Sequence, residues 1–155
     1  MEIRRFEVAN AILIGEIKKT IQSGKSAKFL VTGHSMRLFL KNRRDYVYLS
    51  PVNVDKLRVH DVVLAQITPN YWVLHRIIRI DGDHLTLMGD GNIGLTEQCT
   101  KADVIGKATA FYRKGRDVPD YLDGKKWKIY SYIWLHLTPI RGFILALVRR
   151  LPFNI

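Results

Sequence analysis

Tyr71-Trp72-Val73-Leu74-His75-Arg76-Ile77-Ile78 is dense in β-branched and aromatic residues, which suit a pleated, packed surface. Pro69-Asn70 precedes it, and Asp81-Gly82-Asp83 follows Arg79-Ile80. Both flanks are turn chemistry, so a strand from Tyr71 to Ile80 is bounded on each side. Working outward, Tyr46-Val47-Tyr48-Leu49, Val62-Val63-Leu64-Ala65-Gln66, Leu85 to Met88 and Val104 to Phe111 read as strands too. Ser50-Pro51 and Gly89 to Asn92 supply further turns. Short strands at this spacing predict a mainly β (α+β) domain, with antiparallel strands in a coiled sheet or partly closed barrel.

The strand from Tyr71 carries a histidine, and a second segment carries its natural counterpart. Leu30-Val31-Thr32 reads as a strand that ends in a tight turn at Gly33, within Gly33-His34-Ser35-Met36. A serine needs a base before it can attack a peptide carbonyl, and histidine supplies one near neutral pH. A nucleophile at a strand end, facing a base on another strand, is a catalytic arrangement.

The residues around this pair carry a family resemblance. Gly33-His34-Ser35-Met36 resembles the Gly-x-Ser-Met box of the type I signal peptidase and LexA-like superfamily. Val73 to Ile78 is similar to its second box, a hydrophobic strand with Lys or His before Arg. Gly89-Asp90-Gly91-Asn92 resembles the Gly-Asp-x-Asn box, and Asp103-Val104-Ile105-Gly106-Lys107 the closing strand. The boxes stand in the family order between Lys28 and Phe111. The resemblance implies a serine endopeptidase on a mostly antiparallel β fold, of the Ser–His variety. Two positions depart from the pattern: Leu38 stands where proline is usual, and His60 where glycine is usual. Loss of that glycine matters because glycine tolerates positive φ.

The implied mechanism has Ser35 Oγ attacking the scissile carbonyl while His75 takes its proton and later returns it to the leaving amine. Asp90, in the Gly-Asp-x-Asn box, is the expected group to orient the imidazole, with Glu97 as the second candidate. The backbone N–H of Ser35 would meet the oxyanion, with Gly33 and Met36 completing that side of the site. The second oxyanion donor stays open, and Thr32 is considered for it. Ser35, His75 and Asp90 each have a plainer reading as turn or strand residues. His34, His60 and His84 share no metal-type spacing and read as surface or turn residues. No metal or cofactor is expected, and no phosphate-binding loop motif occurs.

The flanks differ from the β region. From Glu2 to Gln22, Ile3, Phe6, Leu13, Ile17 and Ile21 recur at helical spacing, and Ser23-Gly24 supplies a stop. This amphipathic helix (1–24) is expected to pack on the catalytic β domain (25–112), with a dimer or membrane contact as the alternative. A polar linker (113–126) follows, then an aromatic, basic, apolar segment (127–155). Ile129 to Val148 just reaches the ~20 residues that a membrane span needs. Arg141 within it would cost ~2.5–3.5 kcal/mol, and Pro139-Ile140-Arg141-Gly142 invites a break. Two short interfacial helices therefore compete with a span, and a hairpin folded against the β domain is the soluble alternative. Trp127, Tyr130, Tyr132 and Trp134 suit the headgroup layer, and Arg149-Arg150 would pair with anionic lipid.

At 155 residues with 47% hydrophobic composition, the chain can bury a sizeable core. Its single cysteine, Cys99, excludes an internal disulfide and a multi-cysteine zinc site. A net charge of +11 directs attention to anionic partners. A membrane surface contacted by Trp127 to Arg150 is the preferred one. Nucleic acid is not expected, because Met1 to Lys25 has room for one helix and not for a helix-turn-helix.

The preferred function is a processing endopeptidase acting on signal, leader or propeptide segments of a peptide or preprotein. The protein is expected at the membrane with its catalytic residues on the cytoplasmic face, the outer face being the alternative. The other function classes are a catalytically silent membrane- or peptide-binding module and a LexA-type self-cleaving regulator.

Overall fold

The computed structural model describes residues 2–33, 35–36, 39–113 and 115–151, with backbone alone for 2–10. His34 and Leu38, singled out above, lie outside the described residues, as does the end of the C-terminal segment. The chain begins with helix α1 (Glu2–Gln22), closed by Gly24 at φ 80°. Strands follow: β1 (Ala27–Leu30), β2 (Tyr46–Ser50), β3 (Val62–Thr68), β4 (Tyr71–Asp81), β5 (His84–Met88), β6 (Glu97–Thr100), β7 (Val104–Tyr112) and the short β8 (Asp120–Tyr121). Two helices end the described chain, α2 (Lys125–His136) and α3 (Arg141–Arg150).

All eight strands form one antiparallel sheet in the order β1-β2-β7-β3-β4-β5-β6, with β8 on β7. Strands β1 and β6 end that order unpaired with each other, so the sheet is open and not a closed barrel. Register shifts between Tyr48 and Leu49, Leu64 and Ala65, Gln66 and Thr68, and Ile77 and Arg79 interrupt four of the pairings. Each such irregularity adds local twist, which coils the sheet.

Strand alternation splits the core between the two faces of the sheet. One face buries Val47, Leu49, Val62, Leu64 and Phe111 with Ile17 and Ile21 of α1 and Trp127 of α2. The other buries Val63, Val73, Ile77, Leu85, Leu87 and Cys99. Helix α1 therefore packs on the β domain as its periodicity predicts. Its seam runs through Ile14, Ile17 and Ile21, however, while Leu13 remains exposed.

Among the described residues no single helix is long and apolar enough to cross a membrane. Lys125–His136 and Thr138–Arg150 pass that test together, but they bend by 64°. The break falls at Thr138–Ile140, where Pro139 occupies the first turn of a short 3-10 helix. Arg141 explains how a cation sits in so apolar a segment. Its guanidinium is buried over the Trp134 ring at 4.9 Å and donates to the Trp134 carbonyl at 3.1 Å. The charge thus turns inward, while Ile129, Tyr132, Ile133, Phe143 and Leu147 face outward.

His60 occupies left-handed space at φ 87°. Its N–H donates to the Ile77 carbonyl and its own carbonyl accepts from Arg76 Nη1, which together fix the conformation. A non-glycine residue there stores about 1–3 kcal/mol of strain. His60→Gly is expected to raise unfolding stability by roughly 0.5–1 kcal/mol, the relieved strain being partly offset by glycine's larger unfolded-state entropy. The His60 ring meets Tyr132 edge-on, with centroids 6.4 Å apart; urea denaturation measures the effect, and a loss of stability would mean that this contact outweighs the strain.

Candidate functional site

The site is assembled by register. Arg76 of β4 pairs with Met88 of β5, and the chain then turns through Gly89-Asp90-Gly91-Asn92. That turn cradles the serine segment: Gly91 N–H donates to the Ser35 carbonyl at 2.7 Å, and Asp90 N–H donates to Met36 Sδ at 3.4 Å. Gly89 is required by this approach, since a Cβ there would lie 2.3 Å from the Ser35 carbonyl oxygen. Gly33, at φ 92°, makes the bend before the serine, and its N–H donates to Asn42 Oδ1 at 2.9 Å. Three of the four sequence boxes thus meet at one end of β4 and β5.

His75 and Arg76 are neighbours in β4 and point to opposite faces. Across the sheet, Ile77 pairs with Leu87 and Leu87 with Glu97. His75 lies two residues from Ile77, so it shares the face of Glu97. Their side chains meet: His75 Nδ1 and Glu97 Oε2 are 2.7 Å apart, with His75 buried and Glu97 nearly so. An ionised carboxylate only accepts, so this bond places the imidazole proton on Nδ1 and leaves Nε2 as the basic nitrogen.

Asp90 does not orient His75, which corrects the expectation from the Gly-Asp-x-Asn box. Its carboxylate is held on the other face by Arg76, through Nε–Oδ1 at 2.8 Å and Nη2–Oδ2 at 2.7 Å. Both groups are about 1% exposed. Arg76 Nη1 also donates to the His60 carbonyl and to Ser131 Oγ. Tyr130 donates to Asp90 Oδ2 at 3.4 Å, and Trp134 Nε1 to the Asp90 carbonyl at 3.0 Å. Burial, then the charge of Asp90, pushes the Tyr130 phenol up, so it stays protonated and available as a donor. Burial alone would lower the Arg76 guanidinium, but Asp90 more than offsets it and the net shift is upward.

The serine is half-buried, and among the described residues no hydrogen bond joins Ser35 Oγ to His75. Met36 is buried beneath the turn, while Thr32 is exposed one residue before the Gly33 bend. The Gly33 N–H, expected on the oxyanion side of the site, donates instead to Asn42 Oδ1. Sequence reasoning did not single out Asn42, Ser131 or the pairing of Arg76 with Asp90. The one available signal for that pair is an arginine among apolar residues in the middle of a strand, where a buried cation requires an acid nearby. Cys99 is a free, buried thiol that burial pushes up to about 11, which makes it a core residue and not a nucleophile.

No family model, no curated protein and no solved structure matches this chain.

Proposed function

We propose that this protein is a serine endopeptidase of the signal peptidase and LexA-like type that processes signal, leader or propeptide segments at a membrane surface. The observation that carries the reading is the 2.7 Å His75–Glu97 pair on the strand whose next residue, Arg76, braces the glycine turn that holds Ser35. A histidine with a carboxylate on Nδ1 is a base in the correct tautomer. Ser35 Oγ attacks the scissile carbonyl carbon, its proton passing to His75 Nε2. The C–N bond then breaks as the same proton moves to the leaving amine, and water repeats the sequence to release the acyl group. Glu97 acts as the positioning residue, and the Arg76–Asp90 pair as the frame that fixes the serine turn. Catalytic hydrogen bonds often tighten only when substrate binds, so an unmade Ser35–His75 bond is compatible with activity.

The exposed apolar residues of the bent α2–α3 pair, flanked by Lys125, Lys126, Arg149 and Arg150, support attachment to an anionic bilayer surface by two short helices. The unmade Ser35–His75 bond is also the observation that favours a second reading, a catalytically silent peptide-binding module on the same membrane face.

Purified wild type is expected to cleave members of a panel of leader and signal peptides, and Ser35→Ala to cleave none. Labelling of wild type, but not Ser35→Ala, by a serine-reactive fluorophosphonate supports the peptidase even where the panel misses the natural sequence. Absence of both cleavage and labelling leaves the silent module.

A further inference from the structure

A cleft of about 710 Å³ opens between the segment Lys56 to Val62, strand β7, the β8–α2 turn and the side of α2. It lies on the Arg76 side of the β4 strand, away from the Glu97 side. Lys56, Arg58, Lys107 and Lys128 line it, against two carboxylates, Asp61 and Asp123. Asp61 is already occupied: Oδ1 accepts from Lys107 Nζ at 2.9 Å, and Oδ2 from the Arg58 N–H at 3.0 Å. Among the described residues no ion pair reaches Lys56, Arg58 or Lys128. Three unpaired cations are therefore gathered around one cavity against a single unpaired carboxylate, Asp123, an excess of positive charge that is self-repulsive until an anion enters.

His60 forms part of the wall in its left-handed conformation, with its ring against Tyr132. Burial, then the charge of Arg76, holds its imidazole below the usual histidine range, so near neutral pH it offers a hydrogen-bond donor without adding charge. Backbone strain retained beside a cavity points to a binding role. The volume falls within the ~300–1,000 Å³ of small-molecule sites. Several dispersed ammonium and guanidinium groups suit a ligand with several anionic oxygens and more than one charge.

We propose that this cleft binds a phosphate-bearing anion, supplied by an acidic phospholipid headgroup or by a soluble phosphate compound. The site does not use Ser35, His75 or Glu97, and it shares Arg76, with its partners His60 and Ser131, with the frame around Asp90.

Calorimetric titration with inorganic pyrophosphate, and co-sedimentation with phosphatidylglycerol or phosphatidylcholine vesicles, test it on the full chain. The triple variant Lys56→Ala/Arg58→Ala/Lys128→Ala is compared with Lys18→Ala/Lys25→Ala/Arg116→Ala, which removes the same charge from exposed positions outside the cleft. The cleft triple is expected to weaken binding tenfold or more, and the control less than threefold. Lys128→Glu alone, on an exposed helix surface, should move binding in the same direction if the triple fails to fold. Cleft-specific loss with pyrophosphate identifies a soluble ligand, and the same loss with phosphatidylglycerol vesicles alone identifies a headgroup. Equal losses in both triples, or a wild type that binds neither probe, overturns the proposal.

Discussion

Replacing His75 with alanine is expected to lower kcat on any cleaved leader peptide by ~10⁴-fold, with KM little changed. Without a base the Ser35 hydroxyl keeps its proton and is a poor nucleophile. Glu97→Gln separates the two acidic candidates. A glutamine amide can donate to Nδ1, which moves the imidazole proton to Nε2 and removes the base from the serine. The expected loss in kcat is about 10²- to 10⁴-fold. Asp90→Asn should leave the pH profile of any residual activity unchanged, because Asp90 faces Arg76 and not the imidazole. If instead Asp90→Asn shifted the acidic limb of the profile and Glu97→Gln did not, the assignment of Glu97 would be wrong.

The second large effect is on stability. Asp90→Ala would leave the Arg76 guanidinium buried and unpaired in a site about 1% exposed. Breaking a buried pair from one side costs about 3–5 kcal/mol, because the remaining charge keeps its desolvation penalty without its partner. The midpoint of urea unfolding should fall accordingly, with the slope preserved. Exchanging both members for apolar residues, as in Arg76→Met with Asp90→Leu, removes the orphaned charge and should recover part of the loss. A double variant no more stable than Asp90→Ala alone would show that the bonds from Arg76 to His60 and Ser131 matter more than the ion pair. The Asp90 carboxylate anchors to Arg76 the turn whose backbone N–H groups hold Met36 and Ser35, so the single variant should lose cleavage together with stability.

Much of the architecture is legible in the sequence. The five strands read from β-branched and aromatic runs all appear, several of them bounded by turn residues that stop them, whereas the strand expected at Leu30-Val31-Thr32 is Ala27–Leu30 and ends where that reading began. Glu2–Gln22 and the break near Pro139 were legible for the same local reason. Strands β6 and β8 were not. Glu97-Gln98-Cys99-Thr100 has little apolar alternation and exists as a strand because β5 presents an unpaired edge to it. Asp120–Tyr121 is two residues long and pairs only where β7 projects beyond β3.

The candidate site divides along the same line. Local chemistry nominated Ser35 in a glycine turn, His75 in a strand and Gly89 to Asn92 as a tight turn, since each property belongs to a few consecutive residues. Which acid meets His75 depends on the alignment of three strands, and on the fact that adjacent residues of a strand face opposite sides. That parity sent His75 to Glu97 and Arg76 to Asp90. The sequence by itself determined the main strands and helices, the reactive residue types and the glycines that permit close approach. Tertiary structure decided the partners, the inward turn of Arg141 and the cationic cleft, because register, sheet face and helix docking arise from packing between segments distant in the chain.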